Sequence, residues 1–281
     1  MTDSTARPSV PKSILPLQMF FSELIGTGLL LLGGLSLVIF VFGAGSPVAQ
    51  LIPSVTARNV MCGFLFGSLG ASIALSPVGT YSGAHINPAV TFGFLLAGKL
   101  KPRVAFGYVV AQLGGATLGC VPLLLWGEMG RSANYGATLP GQGYSTLTVL
   151  LGEVATTFGL VAALIVFLAT PKLRRFTPFM IPFLYAFMVP LESAISGTST
   201  NPARSLGPAI ISMNFEGWWI YWVGPLIGTL VAILACSFLL VKIEVAKLYH
   251  FNEDRFGVFK MMTEKVGYVA GRAAAPRRFS T

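Results

Sequence analysis

The sequence predicts an all-α membrane protein in which six transmembrane helices and two re-entrant half-helices form an inverted repeat. Three observations lead there. Of the 281 residues, 54% are hydrophobic and 10% charged, with a mean hydropathy of +0.73, whereas a soluble domain carries about 25% charged residues. Six apolar segments approach the roughly 20 residues needed to cross a bilayer. The motifs of the first half then recur, in the same order, in the second. The 32 glycines suit this class, because small residues let helices approach closely where no hydrophobic effect draws them together.

Residues 1–16 are polar and proline-containing, and the apolar run after them is too long for a signal-peptide core. They read as a cytoplasmic tail. The spans are Gln18–Phe42, Asn59–Leu75, Val104–Trp126, Leu147–Ala169, Pro178–Ile195 and Trp218–Leu240. Pro88–Ala97 and Pro202–Ser212 are apolar but too short to cross, and each opens with proline, which suits a first helical position. They read as half-helices that enter and return. The membrane domain covers 17–245, with repeat halves 18–126 and 147–240, and 246–281 is a basic cytoplasmic tail.

The repeat is carried by three elements. Spans one and four hold Ser22-Glu23-Leu24-Ile25-Gly26-Thr27 and Gly152-Glu153-Val154-Ala155-Thr156-Thr157. Both half-helices begin Asn-Pro-Ala, at Asn87-Pro88-Ala89 and Asn201-Pro202-Ala203. Spans three and six share the spacing of Tyr108, Val110 and Gly115 with Tyr221, Val223 and Gly228. Each half has an odd number of spans, so the second half enters from the opposite face. The half-helices then dip from opposite sides, and their N-termini meet near the midplane.

Charge fixes the expected orientation. The net charge of +9 is not gathered on a soluble face with interleaved aromatics, which argues against nucleic acid as a partner. Arg7, Lys12, Lys99, Lys101, Arg103, Lys172, Arg174, Arg175 and the tail cations fall on one side, while Arg58, Arg131 and Arg204 fall on the other. Cytoplasmic termini follow from the positive-inside bias, and a plasma (inner) membrane location is expected. Cys62, Cys120 and Cys236 lie in apolar stretches with no metal-ligand spacing. They read as buried apolar residues, and neither metal nor cofactor is expected. There is no nucleophile–base pair or phosphate loop to suggest an enzyme.

Non-helical backbone cannot face lipid, because each unsatisfied polar group there costs several kcal/mol. The approaches Ser82-Gly83-Ala84-His85-Ile86 and Gly197-Thr198-Ser199-Thr200 must therefore be buried or line a watery path. Asparagine at a helix N-terminus caps it through the side-chain oxygen and leaves amide N–H to offer. Asn87 and Asn201 would both donate to the oxygen of one passing molecule, with two positive helix ends aimed at the same spot.

Ser82–Val90 and Ser199–Ser205 resemble the paired signature motifs of the aquaporin (major intrinsic protein) family. The resemblance runs from Gln18 to Leu240 and includes the two helix-start glutamates and Tyr221-Trp222-Val223-Gly224-Pro225. It implies a passive channel for water and small neutral solutes, a homotetramer in the lipid bilayer with one pore per subunit, and exclusion of ions and protons. Pro88, Ala89, Pro202 and Ala203 then belong to the pore motifs, and the carbonyls of Gly83, Ala84, His85, Gly197 and Ser199 to the pore wall. Arg204 stands where the first half has Val90; a membrane-buried arginine is a functional candidate in its own right. By resemblance it forms the outer constriction with Val189, Thr198 and a first-half residue. That residue is Gly67 by ungapped spacing, or Phe66 if the loop carries one extra residue.

Glu23 and Glu153 suggest proton coupling or, given their symmetric placement, support of the re-entrant loops; a buried carboxylate needs such donors. Glu192 is a candidate for the same role. His85 offers a pH gate or a loop brace. Val189 and Thr198 imply a rim wide enough for glycerol, urea or ammonia, whereas Ser205, Ala209, Tyr221 and Trp222 resemble strict water channels. An aquaglyceroporin-type facilitator and an ion-coupled secondary transporter are the alternatives, the latter lacking an acidic pair at the midplane. The small-residue pairs Gly63/Gly67, Gly115/Gly119 and Gly224/Gly228 suit helix contacts within or between subunits.

Overall fold

The computed structural model describes residues 16–239, Val241 and Ile243. The expected tail 246–281, and all of the N-terminal tail except Pro16, lie outside these. Among the described residues, eight main helices carry the fold: α1 (Leu17–Phe42), α2 (Val55–Leu75), α3 (Pro88–Leu96), α4 (Pro102–Cys120), α5 (Thr146–Ala169), α6 (Thr177–Glu192), α7 (Pro202–Ser212) and α8 (Ile220–Phe238). Serine hydroxyls cap two of them, Ser54 accepting from the amide of Ala57 and Ser145 from that of Thr148. The half-helices α3 and α7 are capped by Asn87 and Asn201 and start with proline.

Among the described residues, five helical stretches are long and apolar enough to cross a bilayer; α6, at 16 residues, is shorter. This corrects the expected span Pro178–Ile195. The chain beyond Glu192 does not break away, because Ser196 N bonds Glu192 O at 3.2 Å and Gly197 N bonds Ser193 O at 3.0 Å. Turns thus extend the path of α6 into the second re-entrant loop. The third span also changes character: α4 ends at Cys120 and continues as a 3-10 helix, Val121–Trp126, where Pro122 offers no backbone N–H.

The three small-residue pairs join helices of one chain. A Cβ on Gly115 would lie 2.1 Å from Leu24 O and one on Gly119 2.3 Å from Gly28 O, which binds α4 to α1. Gly228 approaches Val154 O and Gly224 approaches Glu153 Cβ in the equivalent α8–α5 pair. Gly63 and Gly67 lie against the backbone of Tyr185 and Pro182, joining α2 to α6. Backbones so close gain dispersion contacts that lipid cannot match. Phe21, Ile25, Phe106, Phe183, Phe187 and Leu234 are exposed on the outside, as a lipid-facing surface requires.

Candidate functional site

The two re-entrant segments repeat one another in backbone conformation. Gly83, Ala84 and Ile86 have φ of 84°, 51° and 42°, and Gly197, Thr198 and Thr200 have 86°, 51° and 53°. Four of these six carry side chains in the left-handed region, at about 1–3 kcal/mol each, so the surroundings must hold them. The two glutamates supply that hold. Glu23 accepts from His85 N at 2.9 Å and Ile86 N at 2.7 Å, and Glu153 from Ser199 N at 2.7 Å and Thr200 N at 2.9 Å. Tyr108 donates to Ser82 O and Tyr221 to Ser196 O, each at 2.9 Å.

Around this symmetric frame the halves differ. Gln112 donates to Glu23 at 2.7 Å and Thr91 at 2.9 Å. In the second half Ser196 Oγ donates to Glu153 at 2.5 Å, and hydroxyl contacts link Ser199 to Ser205 at 2.5 Å and Ser205 to Thr138 at 2.6 Å. The buried Glu192 carboxylate lies beside Ser196 and Thr198 of the second loop. His85 is 1% exposed, its Nδ1 3.1 Å from Thr91 Oγ1 and its ring 4.6 Å from that of Phe94 and 5.2 Å from that of Tyr108.

The N-termini of α3 and α7 face each other. Asn87 Oδ1 accepts from Ala89 N at 2.8 Å, and Asn201 Oδ1 from Ala203 N at 3.0 Å and Arg204 N at 3.3 Å. Each amide nitrogen also crosses to the opposite loop: Asn87 Nδ2 donates to Thr200 O at 2.9 Å and Asn201 Nδ2 to Ile86 O at 3.0 Å. An amide nitrogen carries two hydrogens. One is spent on this reciprocal bond, which refines the expectation of a free amide, and the other remains to be offered.

Arg204, 8% exposed, sits at the start of α7. Its Nη1 donates to Gly136 O at 2.7 Å, and its guanidinium carbon lies 5.9 Å from the centre of the Phe66 ring. Gly136 ends a left-handed run with Asn134 and Tyr135 in the α4–α5 connection. Two cavities border these residues. The outer, about 500 Å³, is walled by Asn59, Phe66, Val189, Thr198 and Arg204 among others. The inner, about 70 Å³, is walled by His85, Asn87, Asn201 and Gly67 among others, with Phe66 again. Gly67 lies against Pro182 of α6, so Phe66 is the member of that pair beside Arg204. Residues whose roles the sequence did not suggest are Gln112, Gly136 and Tyr185. Gln112 left a signal as a polar residue in an apolar span, and Asn134-Tyr135-Gly136 reads as a turn; Tyr185 left none.

Residues 10–236 match the family model described as Major intrinsic protein. The chain belongs to the major intrinsic protein family. Among its relatives, Aquaporin TIP2-2 of Zea mays is 34% identical over 223 residues, covering 77% of this chain and 84% of the maize protein. Aquaporin TIP2-1 of Arabidopsis thaliana is 33% identical over 219 residues, with the same coverage, 77% and 84%. The aquaglyceroporin from Plasmodium falciparum superposes with a TM-score of 0.59 at 18% identity, over 80% of this chain and 97% of its own, a likeness of fold. This major intrinsic protein is thus an integral, multi-pass membrane protein of a channel family, not an enzyme family.

Proposed function

We propose that the protein is a passive channel for water that also admits small neutral solutes such as urea, ammonia and glycerol, and excludes ions and protons. The observation that carries it is the reciprocal asparagine pair at two facing helix ends beside a narrow internal cavity. The cross-bonds fix both amides, so the remaining N–H of each points from a rigid frame and costs no reorganisation. Each helix end adds about half a positive charge. A water oxygen that accepts from both turns its own hydrogens away from the pair, which interrupts a chain of proton donors. The same positive field opposes cations.

Arg204 supports the reading from the outer side. A buried guanidinium held by a carbonyl keeps its full charge at the rim, where it repels cations and still has N–H groups for a neutral solute. With Phe66, Val189 and Thr198 as its neighbours on the outer cavity, the rim is mostly apolar, which favours small neutral solutes beside water. The aquaporin names of the two plant relatives support water as the principal permeant. An ion-coupled transporter would need a coupling site, and the two residues that meet at the midplane are neutral amides.

The assembly proposed is a homotetramer with one path per subunit, both termini cytoplasmic, in a plasma (inner) membrane. Stopped-flow light scattering on proteoliposomes tests the function. Water flux well above that of empty vesicles, with no proton or cation current, is expected; solute entry that saturates and follows an ion gradient would replace the channel with a transporter.

A further inference from the structure

The geometry points to Tyr185, paired with Phe66, as the size-limiting constriction of the pathway, one helical turn inward of Val189. This rests on the proposed conduction of neutral solutes and names the residue that limits it. Ile181, Tyr185 and Val189 fall four residues apart on α6 and so share one face. Ile181 walls the inner cavity, Val189 the outer, and Tyr185 both. Phe66 and Tyr185 are the residues common to the two walls. The passage between the cavities is therefore bounded by two aromatic rings.

Tyr185 is fixed in place at both ends. Its hydroxyl lies 2.7 Å from Thr200 Oγ1, and Thr200 O in turn accepts from Asn87 Nδ2. Its own carbonyl lies where a Cβ on Gly63 would come within 2.4 Å, so α6 cannot shift toward α2 to let the ring withdraw. An aromatic side chain has only two rotatable bonds, and here the hydroxyl contact holds the far end of the ring. The width that Val189 leaves at the rim is taken back one turn deeper, by a ring whose hydroxyl also serves the loop.

Proteoliposomes carrying wild type, Tyr185→Val, Tyr185→Leu, Tyr185→Phe and Val189→Ala, assayed for water and glycerol permeability, decide the matter. Removing the ring in Tyr185→Val or Tyr185→Leu is expected to raise the glycerol-to-water ratio about tenfold or more, and Val189→Ala less than about twofold. Tyr185→Phe, which keeps the ring, is expected to retain the wild-type ratio. Retained water flux reports assembly of each variant, and the leucine variant stands in if the valine one does not assemble. Equal ratios in the ring-deleted variants and wild type, or a larger opening in Val189→Ala, overturn the constriction while leaving the channel intact. A wild type that passes no water overturns both.

Discussion

Two buried carboxylates hold strained backbone, and the consequence is measurable at a single atom. Glu153 uses one oxygen for Ser199 N and Ser196 Oγ and the other for Thr200 N. In Glu153→Gln one acceptor becomes a donor, so whichever way the amide turns it faces a backbone N–H. A buried donor left unmatched costs about 1–3 kcal/mol. A lower melting temperature in detergent is expected, with reduced water flux from a loosened second loop; an unchanged melting temperature would remove the brace from Glu153. The glutamates and asparagines were legible in the sequence because they recur in register. Phe66 was legible only as the alternative to Gly67, since placing it depended on one extra loop residue, and the Gly136 carbonyl was not, since backbone atoms leave no mark on sequence. Tyr185 sat in an apolar span where an aromatic residue signals nothing but burial.

Helix pairs meet through glycine backbones, so the elements tolerate substitution on one face and not on the next. A Cβ at Gly115 would lie 2.1 Å from Leu24 O, whereas one at Gly114 comes no nearer than 3.9 Å to Leu24 Cδ1. Gly115→Ala should therefore force α1 and α4 apart and destabilise by about 1–3 kcal/mol, as overpacking does. Gly114→Ala should be tolerated or mildly stabilising, because alanine is the better helix former. Thermal unfolding of the two variants in one detergent separates them. Hydropathy located every one of these helices, since it measures how much apolar surface a segment offers. It overran the end of α6, because backbone hydrogen bonding, not apolarity, decides that, and turns continue from Glu192; the third span does run to Trp126, as a 3-10 helix after Cys120.

Across the whole molecule, the odd number of spans per half sets which surfaces face which compartment. Arg131, exposed in the α4–α5 connection, and Lys172, exposed between α5 and α6, lie at opposite ends of α5 in the chain and, for a spanning α5, on opposite sides of the bilayer. With Cys62 replaced by alanine, because it borders the outer cavity, Arg131→Cys is expected to react with an impermeant thiol reagent on intact cells. Lys172→Cys should react only after permeabilisation. The reverse pattern would invert the proposed orientation. Architecture was legible at this scale because an inverted repeat writes itself twice in one chain. The cross-bonds between Asn87 and Thr200 O and between Asn201 and Ile86 O have one more consequence, which concerns the order of folding. Neither loop contains the acceptor for its own asparagine amide, so neither half can satisfy its midplane alone. The first half to enter the bilayer gains this bond only when the second arrives from the other side. Completion of the pathway and completion of folding are then one event.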